Sequence, residues 1–175
     1  MFNRIVVPLD GTELAERALP FAEEMAALTG TTIHLVRVVD PVPSGVALYG
    51  ALVDGTAYVE AERADQHEAG QYLDAIADEL IARGYQMSCE VRVGPPTEGV
   101  VSSLRSTDLL VIASHGRAGL PRLVLGSVAE DVLRHSPAPV LLVHTGHAAP
   151  ERIAMHEHKI SEPPVGLTET RAKGA

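Results

Sequence analysis

Two hydrophobic periods alternate along the chain. Arg4–Pro8 (RIVVP) is a short β-branched run and predicts a buried strand. Leu14, Ala18, Phe21, Ala22, Met25 and Leu28 then recur at helical spacing, and Gly30 ends that helix. Thr31–Val39 (TTIHLVRVV) predicts a second strand. A long loop with Pro and Gly runs from Asp40 to Gly55. A helix follows from about Ala57 to Arg83, with Ala64, Leu73, Ile76, Ala77 and Leu80 on its apolar side, and Gly84 stops it. Gln86–Val93 alternates polar and apolar and predicts a third strand. Thr97–Arg105 predicts a short helix, Asp108–Ala113 a fourth strand, Ser127–His135 a helix and Pro139–His144 a fifth strand.

Strands that alternate with amphipathic helices predict an α/β fold, a doubly wound parallel sheet of five strands with helices on both faces. Parallel strands need crossovers, which are right-handed, and ligands in such sheets sit beyond the carboxyl ends of the strands where the winding reverses. The loops after the strands are therefore the place to look for chemistry. The last stretch, from Thr145, is polar with no period. The expected organisation is a domain over residues 1–145 and a polar C-terminal tail over 146–175.

Composition narrows the function classes. The 175 residues carry a net charge of −9, against the basic stripe that nucleic-acid binding requires. No basic cluster suits an anionic membrane surface, and no run approaches a membrane span. The first residues offer no signal-peptide core, so a cytoplasmic protein is expected. The one cysteine, Cys89, cannot form an internal disulfide and is expected as a small buried hydrophobe. His144, His147, His156 and His158 cluster without helical spacing and read as incidental rather than metal-binding.

Two loops carry candidate chemistry. After the fourth strand the chain reads Ala113-Ser114-His115-Gly116-Arg117-Ala118-Gly119, then reaches Gly126-Ser127-Val128 at the start of a helix. Gly116 and Gly119 permit a close backbone turn, and a helix start offers unpaired amides to an anion. Arg117 and Arg122 add positive charge. Ser127 with Glu130 equally fits a capping box that needs no ligand. After the first strand, Pro8-Leu9-Asp10-Gly11-Thr12-Glu13 places Asp10 either as an acceptor for a ribose hydroxyl or an adenine amine, or as a helix N-cap.

Taken together and in order, these motifs resemble the universal stress protein family, in its nucleotide-binding branch, from about Phe2 to His144. The family's pattern of Gly, two residues, Gly, nine residues and Gly-Ser falls on Gly116 and Gly126-Ser127, with Ala113 at the first glycine. Its strand-Pro-x-Asp start matches Pro8 and Asp10, its adenine-contacting residue matches Val38, and its turn after the third strand matches Gly94-Pro95.

The resemblance implies a Rossmann-like fold of the adenine nucleotide alpha hydrolase-like kind, with strand order 3-2-1-4-5. It also implies ATP or AMP as ligand. Val38 and Ile112 would line adenine, with Pro8 and Leu9 beside it and Asp10 on the ribose or adenine side. Amides from Ser114 to Gly116, with those of Gly126, Ser127 and Val128, would hold phosphates, and Mg2+ could bridge them. His115 is the one candidate for catalysis near the phosphates. No Walker motif is present and both lysines lie in the tail, so at most slow ATP hydrolysis is expected. Residues Val46–Tyr58 are a candidate lid. The family's pairing of the fifth strand, Pro139–His144, across a two-fold axis implies a homodimer. The competing reading is a nucleotide-free dimeric interaction module, which Ala113 favours.

Overall fold

A computed structural model gives the fold and describes residues 2–40, 55–114 and 126–144. In chain order the elements are β1 (Arg4–Pro8), α1 (Glu13–Glu16), α2 (Leu19–Thr29), β2 (Thr32–Val39), α3 (Gly55–Ala82), β3 (Met87–Val93), α4 (Pro96–Ser103), β4 (Leu109–Ser114), α5 (Ser127–His135) and β5 (Val140–His144). The five strands form one sheet of order β3-β2-β1-β4-β5, and every neighbouring pair is parallel. This is the doubly wound α/β architecture that the alternating periods predict.

Alternate side chains of each strand build two cores. Ile5, Val7, Leu9, Ile33, Leu35, Leu109 and Val111 face α2 and α3, where they meet Ala22, Ala26, Leu73 and Ala77. Val6, Val36, Leu110 and Ile112 face α4 and α5, where they meet Val100, Leu104, Ala129 and Val132. The near-continuous apolar runs of β1 and β4 follow from burial on both sides.

The structure departs from the predicted elements in places with identifiable causes. The first predicted helix is two pieces, α1 and α2, separated at Arg17 and Ala18. Pro20 has no amide to give to residue 16, and its ring would clash with that carbonyl, so a continuous helix cannot pass. Leu28, expected on the apolar side, is 74% exposed. On α3, Ala64 is exposed while Ala69 is buried. Cys89, expected to be buried, is exposed: it lies on the edge strand β3, with its thiol 3.8 Å from the Leu73 carbonyl of α3. The expected lid lies mostly outside the described residues, and the tail with His147, His156 and His158 lies wholly outside them.

Two polar clusters sit on the α4 and α5 side. Asp108, completely buried, receives the Arg4 guanidinium at 2.7 Å and the Arg105 amide at 2.9 Å, while Arg4 also donates to the Ser103 carbonyl at 3.0 Å. Burial would push the Asp108 carboxyl up, but those donors outweigh it and hold its pKa below the usual range. Nearby, His34 is buried with its ring nitrogens 2.8 Å from the Ser88 hydroxyl and 3.1 Å from Glu90 Oε2. Burial lowers the His34 pKa, and the hydrogen bond that the ring donates to Glu90 opposes this only in part.

Both shifts make acid destabilising. The unfolded chain protonates His34 near its ordinary value of about 6.5 before the folded chain does, so stability declines from there downward. The Asp108 contribution is complete above an unfolded value of about 3.9 and is lost as pH falls through the lower folded value. Urea titrations over a pH series should show both declines. His34→Gln should flatten the upper one, and Asp108→Asn should cost about 3 kcal/mol at neutral pH.

Candidate functional site

The site begins with a missing rung. β1 pairs with β2 along its whole length, Arg4 to Pro8, but with β4 only through Ile5 and Val6. The Leu9 amide donates to Val36 of β2 at 2.8 Å, so by strand alternation the Pro8 nitrogen faces β4. That nitrogen carries no hydrogen and cannot extend the ladder. Beyond this point β4 continues to pair with β5 as far as Ser114. The carboxyl ends of β1 and β4 are therefore unjoined where the chain leaves them toward opposite faces of the sheet.

A cavity of about 330 Å³ occupies that crevice. Val36 and Val38 of β2, Val100 of α4 and Ile112 of β4 give it an apolar lining, to which Leu14 and Pro96 add. Asp10 stands on the β1 side, while Ser114, Gly126, Ser127 and Val128 line the opposite part. Among the described lining residues Asp10 is the one with a charged side chain. The cavity is thus polarised: a carboxylate at one end, and at the other the start of α5, where free amides and the helix dipole favour an anion.

Local sequence explains how each part is held. Asp10 is not the cap of α1; Thr12 is, accepting the Ala15 amide at 3.2 Å. Asp10 instead accepts the Thr12 amide at 2.9 Å and the Thr12 hydroxyl at 2.6 Å, both on Oδ1. This side-chain turn fixes the carboxylate and leaves its other oxygen uncommitted among these bonds. The capping-box reading of Ser127 also fails. Gly126 is the N-cap of α5, Ser127 is the first helical residue, and Glu130 pairs with Arg134 at 2.7 Å. Ser127 therefore starts the helix at the cavity without closing its own first turn.

Of the sequence-predicted site residues, Pro8, Leu9, Asp10, Val38, Ile112, Ala113, Ser114, Gly126, Ser127 and Val128 all line this same cavity. His115, Gly116, Arg117 and Gly119 lie outside the described residues. Ala113, which replaces the family's first glycine, packs against the core on the α2 and α3 side, opposite to Ile112. Its methyl is therefore directed away from the wall that Ile112 forms. Sequence reasoning missed Leu14, Ala15, Val36, Pro96, Val100 and Ala129. Val36 had a signal, since it shares a strand face with Val38 at period two. The helix residues had none, because their place depends on how α1, α4 and α5 dock.

The docking of α4 has its own determinant. A Cβ on Gly99 would lie 2.6 and 2.7 Å from the two methyls of Val38. Only glycine allows the helix to approach this close to a side chain that walls the cavity.

The fold and cavity define a Rossmann-like α/β protein with a ligand-sized crevice at its switch point. Comparison with known proteins places it further. The model of the universal stress protein family matches residues 1–144, and the chain belongs to that family. Universal stress protein MJ0531 of Methanocaldococcus jannaschii is 29% identical over 147 residues, 82% of each chain. Universal stress protein MJ0577 of the same organism is 29% identical over 154 residues, 82% of this chain and 95% of its own. The solved structure of MJ0577 superposes with a TM-score of 0.67 at 27% identity, covering 85% of this chain and 99% of that one. A universal stress protein solved in complex with cAMP superposes with a TM-score of 0.52 at 26% identity, covering 82% and 97%.

Gly99→Ala tests the close approach. On an exposed helix the change would stabilise by about 1 kcal/mol through propensity. Here overpacking, about 1–3 kcal/mol, should win. Thermal melts should show net destabilisation, and a crystal structure of the variant should show Val38 or α4 displaced.

Proposed function

We propose that this protein binds an adenine nucleotide, ATP or AMP, at the switch point of its sheet and acts in the stress response as a sensor or regulator. The observation that carries this reading is the polarised cavity. Its volume suits a small molecule. Val38 and Ile112 offer flat apolar contact to a base, and Asp10 accepts from a ribose hydroxyl or the adenine amine. The α5 amides and the Ser127 hydroxyl receive phosphate. The anionic end of the ligand must lie at α5, because Asp10 repels it at the other end. The relative in complex with cAMP supports the adenine class.

Residues from Ser114 through His115, Gly116, Arg117 and Gly119 complete the phosphate side by their match to the family pattern. Mg2+ bridging the phosphates would keep most of its waters, so few protein ligands are needed. Turnover is at most slow, since His115 alone is a candidate to orient water. The nucleotide-binding domain spans 1–145, with 146–175 a tail, and the protein works in the cytoplasm. β5, at the edge of the sheet, pairs with its copy to form a homodimer.

Titration calorimetry with AMP and with ATP and magnesium should give saturable, one-site binding. Gly126→Asp should weaken it at least tenfold by placing a carboxylate where phosphate sits. A Cβ at Gly126 meets nothing within 4 Å, its φ of −60° suits any residue, and Asp is a favoured N-cap. The variant should therefore melt no lower than the wild type. Absence of binding for both nucleotides would overturn the reading and leave the dimeric interaction module.

A further inference from the structure

Behind the β1 loop, on the face of the sheet away from Val38, a cation is held that takes no part in lining the cavity. Arg37 of β2 lies with its guanidinium carbon 4.9 Å from the centre of the Tyr72 ring on α3. The same guanidinium fills the space above Gly11. A Cβ there would lie 3.5 Å from both terminal nitrogens and 3.6 Å from the central carbon. An edge-on approach would leave the carbon clearly farther than the nitrogens, so the group turns its flat side toward the open side of Gly11. Gly11 has φ +87°, which side chains other than glycine rarely adopt. Tyr72 is itself anchored, donating to Glu16 of α1 at 2.8 Å. The guanidinium thus lies between an anchored ring and the backbone of the β1 loop.

We propose that Arg37 is a positioning residue for the cavity. Stacked on Tyr72 and covering Gly11, it holds the Asp10–Gly11–Thr12 turn so that the Asp10 carboxylate faces the ligand. It touches no ligand and acts through Asp10. A planar cation suits this place because it can lie flat against both ring and backbone, whereas an ammonium cannot. The role in ligand binding rests on the nucleotide reading; the hold on the turn does not.

Two measurements separate these parts. Amide hydrogen exchange followed by NMR reads the turn directly, since the Thr12 amide donates to Asp10. Arg37→Met should speed exchange at Thr12 about tenfold while the amides of β1 and β2 keep their protection. Arg37→Lys should recover only part of the loss. Tyr72→Leu, which removes the ring, should loosen the same amide, and it decides the matter if Arg37→Met does not fold. Unchanged Thr12 exchange in a folded variant overturns the proposal.

Titration with AMP then reads the consequence. Arg37→Met should weaken binding about tenfold in the wild-type background and less than twofold in an Asp10→Asn background. Equal losses in both backgrounds would contradict action through Asp10. If wild-type protein binds no AMP, the nucleotide reading fails while the exchange measurement still decides whether Arg37 holds the turn.

Discussion

β1 and β4 lie side by side in the centre of the sheet, yet the chain leaves them for opposite faces. Everything at the candidate site depends on that divergence. Two parallel neighbours whose crossovers run the same way would fill the space above their ends with the next connection. Here the described residues leave a cavity at that place, and Pro8 denies the ladder its next rung. The cavity is thus a consequence of topology and one missing hydrogen, and the side chains around it supply character rather than space.

That character is divided between the two strands. The β1 side contributes a carboxylate fixed by a local turn with Thr12. The β4 side leads to the start of α5, a nine-residue helix whose first residues line the crevice. The β2 valines and α4 form the wall between them, with α4 brought close because Gly99 carries no side chain. A ligand with an apolar ring, hydrogen-bonding groups on one side and an anionic group at the other end matches this order of surfaces. The polar clusters around Asp108 and His34 do different work. Asp108 locks the opposite end of the sheet to Arg4, far from the crevice in strand register.

Much of this was legible in the sequence, for physical reasons that also explain the failures. Strands buried on both faces must be apolar without interruption, so RIVVP and DLLVIA stand out unaided. Residues adjacent to strand ends inherit their place from the sheet, and Asp10, Val38, Ile112 and Gly126 therefore fell on one cavity. Pattern failed where a single residue overrules periodicity, as Pro20 does in splitting α1 from α2. It failed also where one motif serves two roles. Ser127 and Glu130 have the spacing of a capping box, but Arg134 one turn on takes the glutamate instead. Cys89 alternates correctly with its neighbours, yet edge position, which no local pattern encodes, leaves it exposed. Contacts made by docking, such as Gly99 on Val38 or Arg37 over Gly11, carry no local signal at all.

The central claim is that one ligand occupies the crevice between the ends of β1 and β4. A heteronuclear NMR titration of labelled protein with AMP tests it residue by residue. The account predicts saturable shifts at Leu9, Asp10, Val38, Ile112, Ser114, Ser127 and Val128, with the Asp108 end of the sheet unmoved. Shifts that cluster away from these residues, or a spectrum that AMP leaves unchanged at millimolar concentration, would contradict it.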